Sequence, residues 1–135
     1  MHLRNGLIAI SLLLATPALA ENWISSGDAE IDAWYEKAQR NPWPGAAPGA
    51  TGGKCCGKSD AFWADKSETV DGQWIVTVTD ERIIQGRKNR NGQRFVISPD
   101  VIDKLRQGNP TGHVVIFILN TGGDLPFCFF PGDGV

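Results

Sequence analysis

Asp71-Gly72 stands between two runs of strand-forming residues, Phe62 to Val70 and Gln73 to Asp80. An Asp-Gly pair supplies the positive φ angles that a two-residue hairpin turn demands, so this dipeptide commits the middle of the chain to antiparallel β structure. Trp74, Val76 and Val78 share one face of the second run, while Ile75, Thr77 and Thr79 share the wetter face. The 16 glycines and 8 prolines among 135 residues reinforce the inference, since so much turn-forming backbone favours short strands over a helical bundle.

The pattern continues downstream. Arg82 to Gln85 and Arg94 to Ser98 read as a second hairpin through the loop GRKNRNGQ, with Asn91-Gly92 as its turn. Ser98-Pro99-Asp100 opens a short helix to about Leu105, Ser as N-cap and Pro at the first helical position. After the turn Asn109-Pro110-Thr111-Gly112, the apolar runs His113 to Leu119 and Leu125 to Phe130 read as strands around the turn Asn120 to Asp124, and Pro131 to Val135 is a turn-rich tail.

One helix precedes the strands. Over Asp28 to Gln39, Ile31, Trp34, Tyr35 and Ala38 fall at i, i+3, i+4 and i+7, opposite Asp32, Glu36 and Lys37. Ser26 or Asp28 caps its start and Asn41-Pro42 stops it. Asn41 to Lys54, NPWPGAAPGATGGK, has no periodicity and reads as a loop or linker. The expected fold is therefore mainly β: a small, strongly bent antiparallel sheet or SH3-like barrel with one N-terminal amphipathic helix, the alternative being an open sheet with that helix laid across it. Residues 21–54 carry the helix and Pro/Gly-rich loop, and residues 55–135 the β domain.

Residues 1–20 read as a secretory signal peptide: Arg4, a short apolar core, Pro17, and Ala18-Leu19-Ala20 ahead of Glu21. The apolar run is too short to cross a bilayer, and the longest later one, Val114 to Leu119, has only strand length. The expected location is periplasmic or secreted, with no transmembrane segment after cleavage. The formal net charge of −2 at pH 7 gives no reason to expect a nucleic-acid partner.

An oxidising compartment turns the three cysteines into one disulfide and one leftover thiol. The favoured bond ties Cys55 or Cys56 to Cys128, closing a loop of about 70 residues. A bond between Cys55 and Cys56 themselves would need a strained ring. Cys55, Cys56, His113 and Cys128 also offer the atoms of a zinc, copper or thiol-redox site, although adjacent cysteines lack the usual zinc-ligand spacing.

Arg82, Arg87, Lys88, Arg90 and Arg94 concentrate basic charge on the second hairpin and form the candidate contact surface, suited to an anionic envelope component or an acidic protein face. On that reading, Arg87, Lys88 and Arg90 can be exchanged for Ser without loss of stability. Tryptophans at 23, 34, 43, 63 and 74 exceed what one small core needs, so some are expected at the surface. Asp60, Asp65, Asp80 and Asp124 sit near strand ends or turns and read as backbone partners. No acid and base pair, nucleotide loop or calcium loop emerges, and no cofactor is implied.

At Trp34-Tyr35, Cys55-Cys56-Gly57-Lys58-Ser59-Asp60, Asn109-Pro110-Thr111-Gly112-His113 and Cys128-Phe129-Phe130-Pro131-Gly132-Asp133-Gly134-Val135, the chain resembles a family of small exported alphaproteobacterial proteins. Members carry Cys-Cys followed by Asp-Cys and end in Cys-Phe with a Pro/Gly tail. Here Asp60-Ala61 replaces Asp-Cys, so the resemblance implies a two-disulfide framework reduced to one, and it transfers no catalytic residue. The expectation is a non-enzymatic exported binding or assembly module clamped through Cys128, with the thiol or metal protein as the competing reading.

Overall fold

The computed structural model describes residues 27–83, 87–119 and 123–132. The expected signal peptide, the start at Glu21, Trp23, residues 84–85 of the expected second hairpin and parts of the last turn and tail lie outside these residues. The protein is mainly β, with one N-terminal helix, α1 (Ala29–Lys37). Six strands follow: β1 (Ala61–Trp63), β2 (Lys66–Val70), β3 (Gln73–Thr77), β4 (Arg94–Ile97), β5 (Val115–Ile118) and β6 (Pro126–Phe130). They form two three-stranded antiparallel sheets, ordered β1-β5-β6 and β2-β3-β4.

The two sheets share one bent segment. The run expected as a single strand from Phe62 to Val70 breaks at Ala64-Asp65, its first half pairing with β5 and its second with β3. The Asp65 carboxylate causes the break by accepting the main-chain N–H of Val114 at 2.8 Å, while Ala64 N donates to Val114 O at 2.9 Å. Thr79 N then donates to Trp63 O, so the continuation of β3 runs beside β1 and joins the sheets at this corner. The hairpin about Asp71-Gly72 forms as its residues dictate, both at positive φ.

Strand β4 corrects the second expected hairpin. Arg94 to Ile97 pair with Thr77 to Trp74, and residues 81–83 lie in no strand. Asn91-Gly92 does make a turn, but it returns the chain to the end of β3, where Val78 N donates to Gln93 O. The expected helix from Ser98 to Leu105 is a single 3-10 turn, Pro99–Val101, capped by Ser98. It stops because Ile102 bridges to Phe129 and Asp103 N donates to Phe129 O, so the edge of β6 captures the chain.

Central strand β5 explains its uninterrupted apolar sequence, being fully buried on both faces. Ile116 and Ile118 meet Phe62, Val76, Val78, Phe95 and Ile97 between the sheets. Val115 and Phe117 face Tyr35, Ala38, Cys55, Cys128 and Phe130 beneath the helix. Each buried side chain of this size contributes roughly 1.5–3 kcal/mol relative to exposure.

Asp28 caps α1, accepting from Glu30 N at 2.8 Å and Ile31 N at 3.3 Å, an arrangement worth about 1 kcal/mol. The helix ends two residues before the expected Gln39, because Ala38 O accepts from Cys55 N and Gln39 bridges to Lys54. The Pro/Gly-rich stretch is consequently no free linker. Arg40 exchanges bonds with Gly53 and Gly52, and Asn41 donates to Asp100 O and Ile102 O, closing its base.

Candidate functional site

Among the three cysteines, Cys55 and Cys128 are joined, 73 positions apart in sequence, and both are buried in the cluster beneath α1. The bond fixes the return from the Pro/Gly loop onto the last strand. Cys56 is the leftover thiol, exposed and at φ +74. His113 is held elsewhere, so the four residues weighed as a metal or redox set are not gathered. Among the described residues, no group of three or more His, Cys, Asp or Glu side chains is placed to hold a metal ion.

Each of the five basic residues of the candidate contact surface faces a carboxylate, and three of them are largely buried. Arg82 and Arg87 turn inward onto Asp80, whose carboxylate accepts from Arg82 Nε at 2.8 Å, Arg82 Nη2 at 2.6 Å and Arg87 Nη1 at 3.2 Å. The Asp80 side chain has no exposure, and that of Arg87 only 3%. Burial pushes the Asp80 carboxyl upward, but hydrogen bonds and charge from Arg82 and Arg87 outweigh it and hold the group below its ordinary value. Arg87 also donates to Ala61 O and Arg82 O and lies over the Phe62 ring at 4.4 Å. Together with the bond from Trp63 N to Asp80 Oδ2, this satisfies the outer edge of β1 with side chains.

Arg90 is buried as well and donates to Asp124 Oδ1 at 2.8 Å and Gln93 Oε1 at 3.1 Å. Lys88 shares Asp124 at 3.1 Å, and hydrogen bonds from Arg90 and Lys88 hold the Asp124 carboxyl at about 2. Arg94 is paired with Glu68 on the outer face of its sheet. Only Lys88 and Arg94 of the five remain substantially exposed, and each already faces a carboxylate. Asp80 and Asp124 were legible only as turn residues; their fixed spacing from the basic run was the available signal.

Trp63 extends the Asp80 cluster toward α1 and β5. Its Nε1 donates to the Tyr35 hydroxyl at 3.1 Å, and the Arg82 guanidinium lies 3.8 Å from its ring centroid. Burial raises the Tyr35 phenol above its ordinary value, against the opposing Trp63 hydrogen bond and Arg82 charge. His113 stacks on Trp63 and meets Asp65 through Nδ1 at 2.7 Å. Asn109 secures the approach to β5 by donating to His113 O at 2.7 Å.

No family model, curated protein or solved structure matches the chain. Among the described residues, a groove of about 510 Å³ lies where the start of β3 meets the end of β4. Trp74, Val96, Ile97, Pro99 and Ile102 supply its apolar walls. Trp74 is braced edge-on against Phe129 at 4.8 Å, which fixes that wall. Val96 is 52% exposed, and Trp43, at the Pro/Gly loop, is 62% exposed, so part of the expected surplus of aromatic and apolar area does face solvent.

Proposed function

We propose that this chain is an exported, non-enzymatic binding module that works in the periplasm or after secretion, clamped by the Cys55–Cys128 disulfide. The observation that carries this reading is the burial of that bond: both sulfurs belong to the core beneath α1, so its formation is part of folding. Such a bond persists in an oxidising compartment and is rare in the cytosol. The signal-like residues 1–20 and the resemblance to exported alphaproteobacterial proteins support the same location. The groove beside Trp74, rather than the arginines, offers the contact face, because an apolar concavity with a rigid aromatic wall gains area on binding at little entropic cost.

Intact mass of the full-length gene product, recovered from periplasm and medium without reductant, tests the reading. It predicts a chain beginning at Glu21 with one alkylatable thiol, Cys56. A chain retained in the cytoplasm with three alkylatable thiols overturns it.

A further inference from the structure

Strand β4 is an edge strand whose outward groups can be assigned. The bond from Val78 N to Gln93 O sets the phase of the β3–β4 ladder, so Phe95 and Ile97 exchange hydrogen bonds with β3. Arg94 and Val96 therefore direct N–H and C=O away from it. Neither main-chain pair has a partner among the described residues, and β4 pairs with β3 alone. The two positions are about 6.8 Å apart, twice the rise per strand residue, a spacing matched by the backbone of another extended chain.

The groove lies at the end of this edge and shares Val96 and Ile97 with it. Its walls carry no charged side chain. The residues next in sequence to its lining include two exposed carboxylates, Asp71 and Asp100, while Arg94, the cation on the β4 edge, already has Glu68 as its partner. An occupant with an apolar side chain in the groove and basic residues beside it complements both features.

We infer that β4 and the Trp74 groove bind an extended apolar and basic polypeptide segment as an added strand. This rests on the binding-module reading above and names its ligand class. The strand's N–H and C=O groups pair with Arg94 and Val96, one apolar side chain fills the groove against Trp74 and Pro99, and a flanking Lys or Arg faces Asp71 or Asp100.

The test is fluorescence anisotropy with a labelled, amidated peptide Lys-Val-Thr-Val-Thr-Val-Lys against the disulfide-bonded protein. Saturable binding is expected. Binding at least tenfold weaker is expected for the same peptide with Glu in place of Lys, and for one N-methylated at alternate residues. Val96→Pro, which removes an outward N–H at an edge position where Pro is tolerated, should cause a similar loss. The N-methylated peptide keeps the comparison valid if that variant misfolds. No binding, equal binding of all three peptides, or a peptide-free dimer paired through β4 on sedimentation overturns the inference. The exported mass and thiol count are unaffected by any of these results, so the binding segment can fail while the exported-module reading stands.

Discussion

The imidazole of His113 lies flat on the indole of Trp63, with ring centroids 3.8 Å apart and planes 10° from parallel. The stack joins the end of β1 to the approach to β5, and Asp65, at the break before β2, holds His113 Nδ1 with one oxygen and Val114 N with the other. Asp65→Ala leaves a partly buried N–H without its acceptor and should cost about 1–3 kcal/mol. His113→Ala should cost about 1 kcal/mol through loss of the stack. Urea unfolding of both single variants and the double variant should show a coupling of about 0.5–1 kcal/mol, modest because both side chains are partly exposed. Strict additivity would show that the two residues act separately.

Asp80 joins Arg82 and Arg87 inside the protein, so removing it leaves two guanidiniums without their carboxylate. Asp80→Ala should lose about 3–5 kcal/mol in denaturant unfolding. Arg87→Ser should also be strongly destabilising, whereas Lys88→Ser, at an exposed pair, should change stability by less than about 1 kcal/mol. Equal tolerance at 87 and 88 would contradict the inward placement of Arg87.

Acid stability follows from the same carboxylates. Asp80 and Asp124 both have folded values below their unfolded ones, so the stabilisation they give is complete above the ordinary Asp range and fades as pH falls. For Asp124 the loss runs from 3.8 down to about 2. Thermal midpoints measured from pH 7 to pH 2 should decline steeply below about pH 4. Asp124→Asn should flatten that decline; an unchanged slope would remove Asp124 from the account.

What could be read in advance divides along physical lines. The helix, the Asp71-Gly72 hairpin and the apolar run of β5 depend on local periodicity and turn chemistry, and the structure forms all three. The break at Ala64-Asp65 depends on Val114 and His113, far along the chain, and no local pattern encodes it. Arg82 to Gln85 has strand-forming character, yet β4 pairs with β3, and the pull of Asp80 on Arg82 and Arg87 is a tertiary contact that no local pattern encodes. Asp80 draws Arg82 and Arg87 inward, while Asp124 holds Lys88 and Arg90 and Glu68 holds Arg94. The groove escaped notice because Trp74, Val96, Pro99 and Ile102 come from separate elements. The disulfide was legible as a bond to Cys128, and packing beneath α1 selected Cys55 over Cys56.

The disulfide should stabilise the fold on the same scale as the Asp80 ion pairs. Closing a loop over a separation of 73 residues restricts the unfolded chain by about 4 kcal/mol in the entropic model. Guanidinium titration of the oxidised protein and of Cys128→Ser should differ by about 2–5 kcal/mol. Because both sulfurs are buried, dithiothreitol should reduce the native bond at a rate limited by unfolding. Reduction that is fast and independent of denaturant would place the bond at an exposed site instead.

Gly57 tests the contact between α1 and the segment after the disulfide. Its φ of +85 is in the region open to glycine, and a Cβ there would stand 2.7 Å from the Glu36 carboxylate, whose Oε1 also accepts from Lys58 N. Gly72 has a similar φ of +76 but open space around its Cβ position. Gly72→Ala and Gly57→Ala should each cost about 1 kcal/mol from backbone strain, and at Gly57 the exposed Glu36 carboxylate must also swing aside, a smaller addition because it ends a flexible side chain. Pairing Gly57→Ala with Glu36→Ala removes the obstructing carboxylate while leaving the backbone angle unchanged. The double variant should recover a few tenths of a kcal/mol at most relative to Gly57→Ala, measured by urea unfolding; a recovery of about 1 kcal/mol or more would show that Glu36 is held rigidly against this turn.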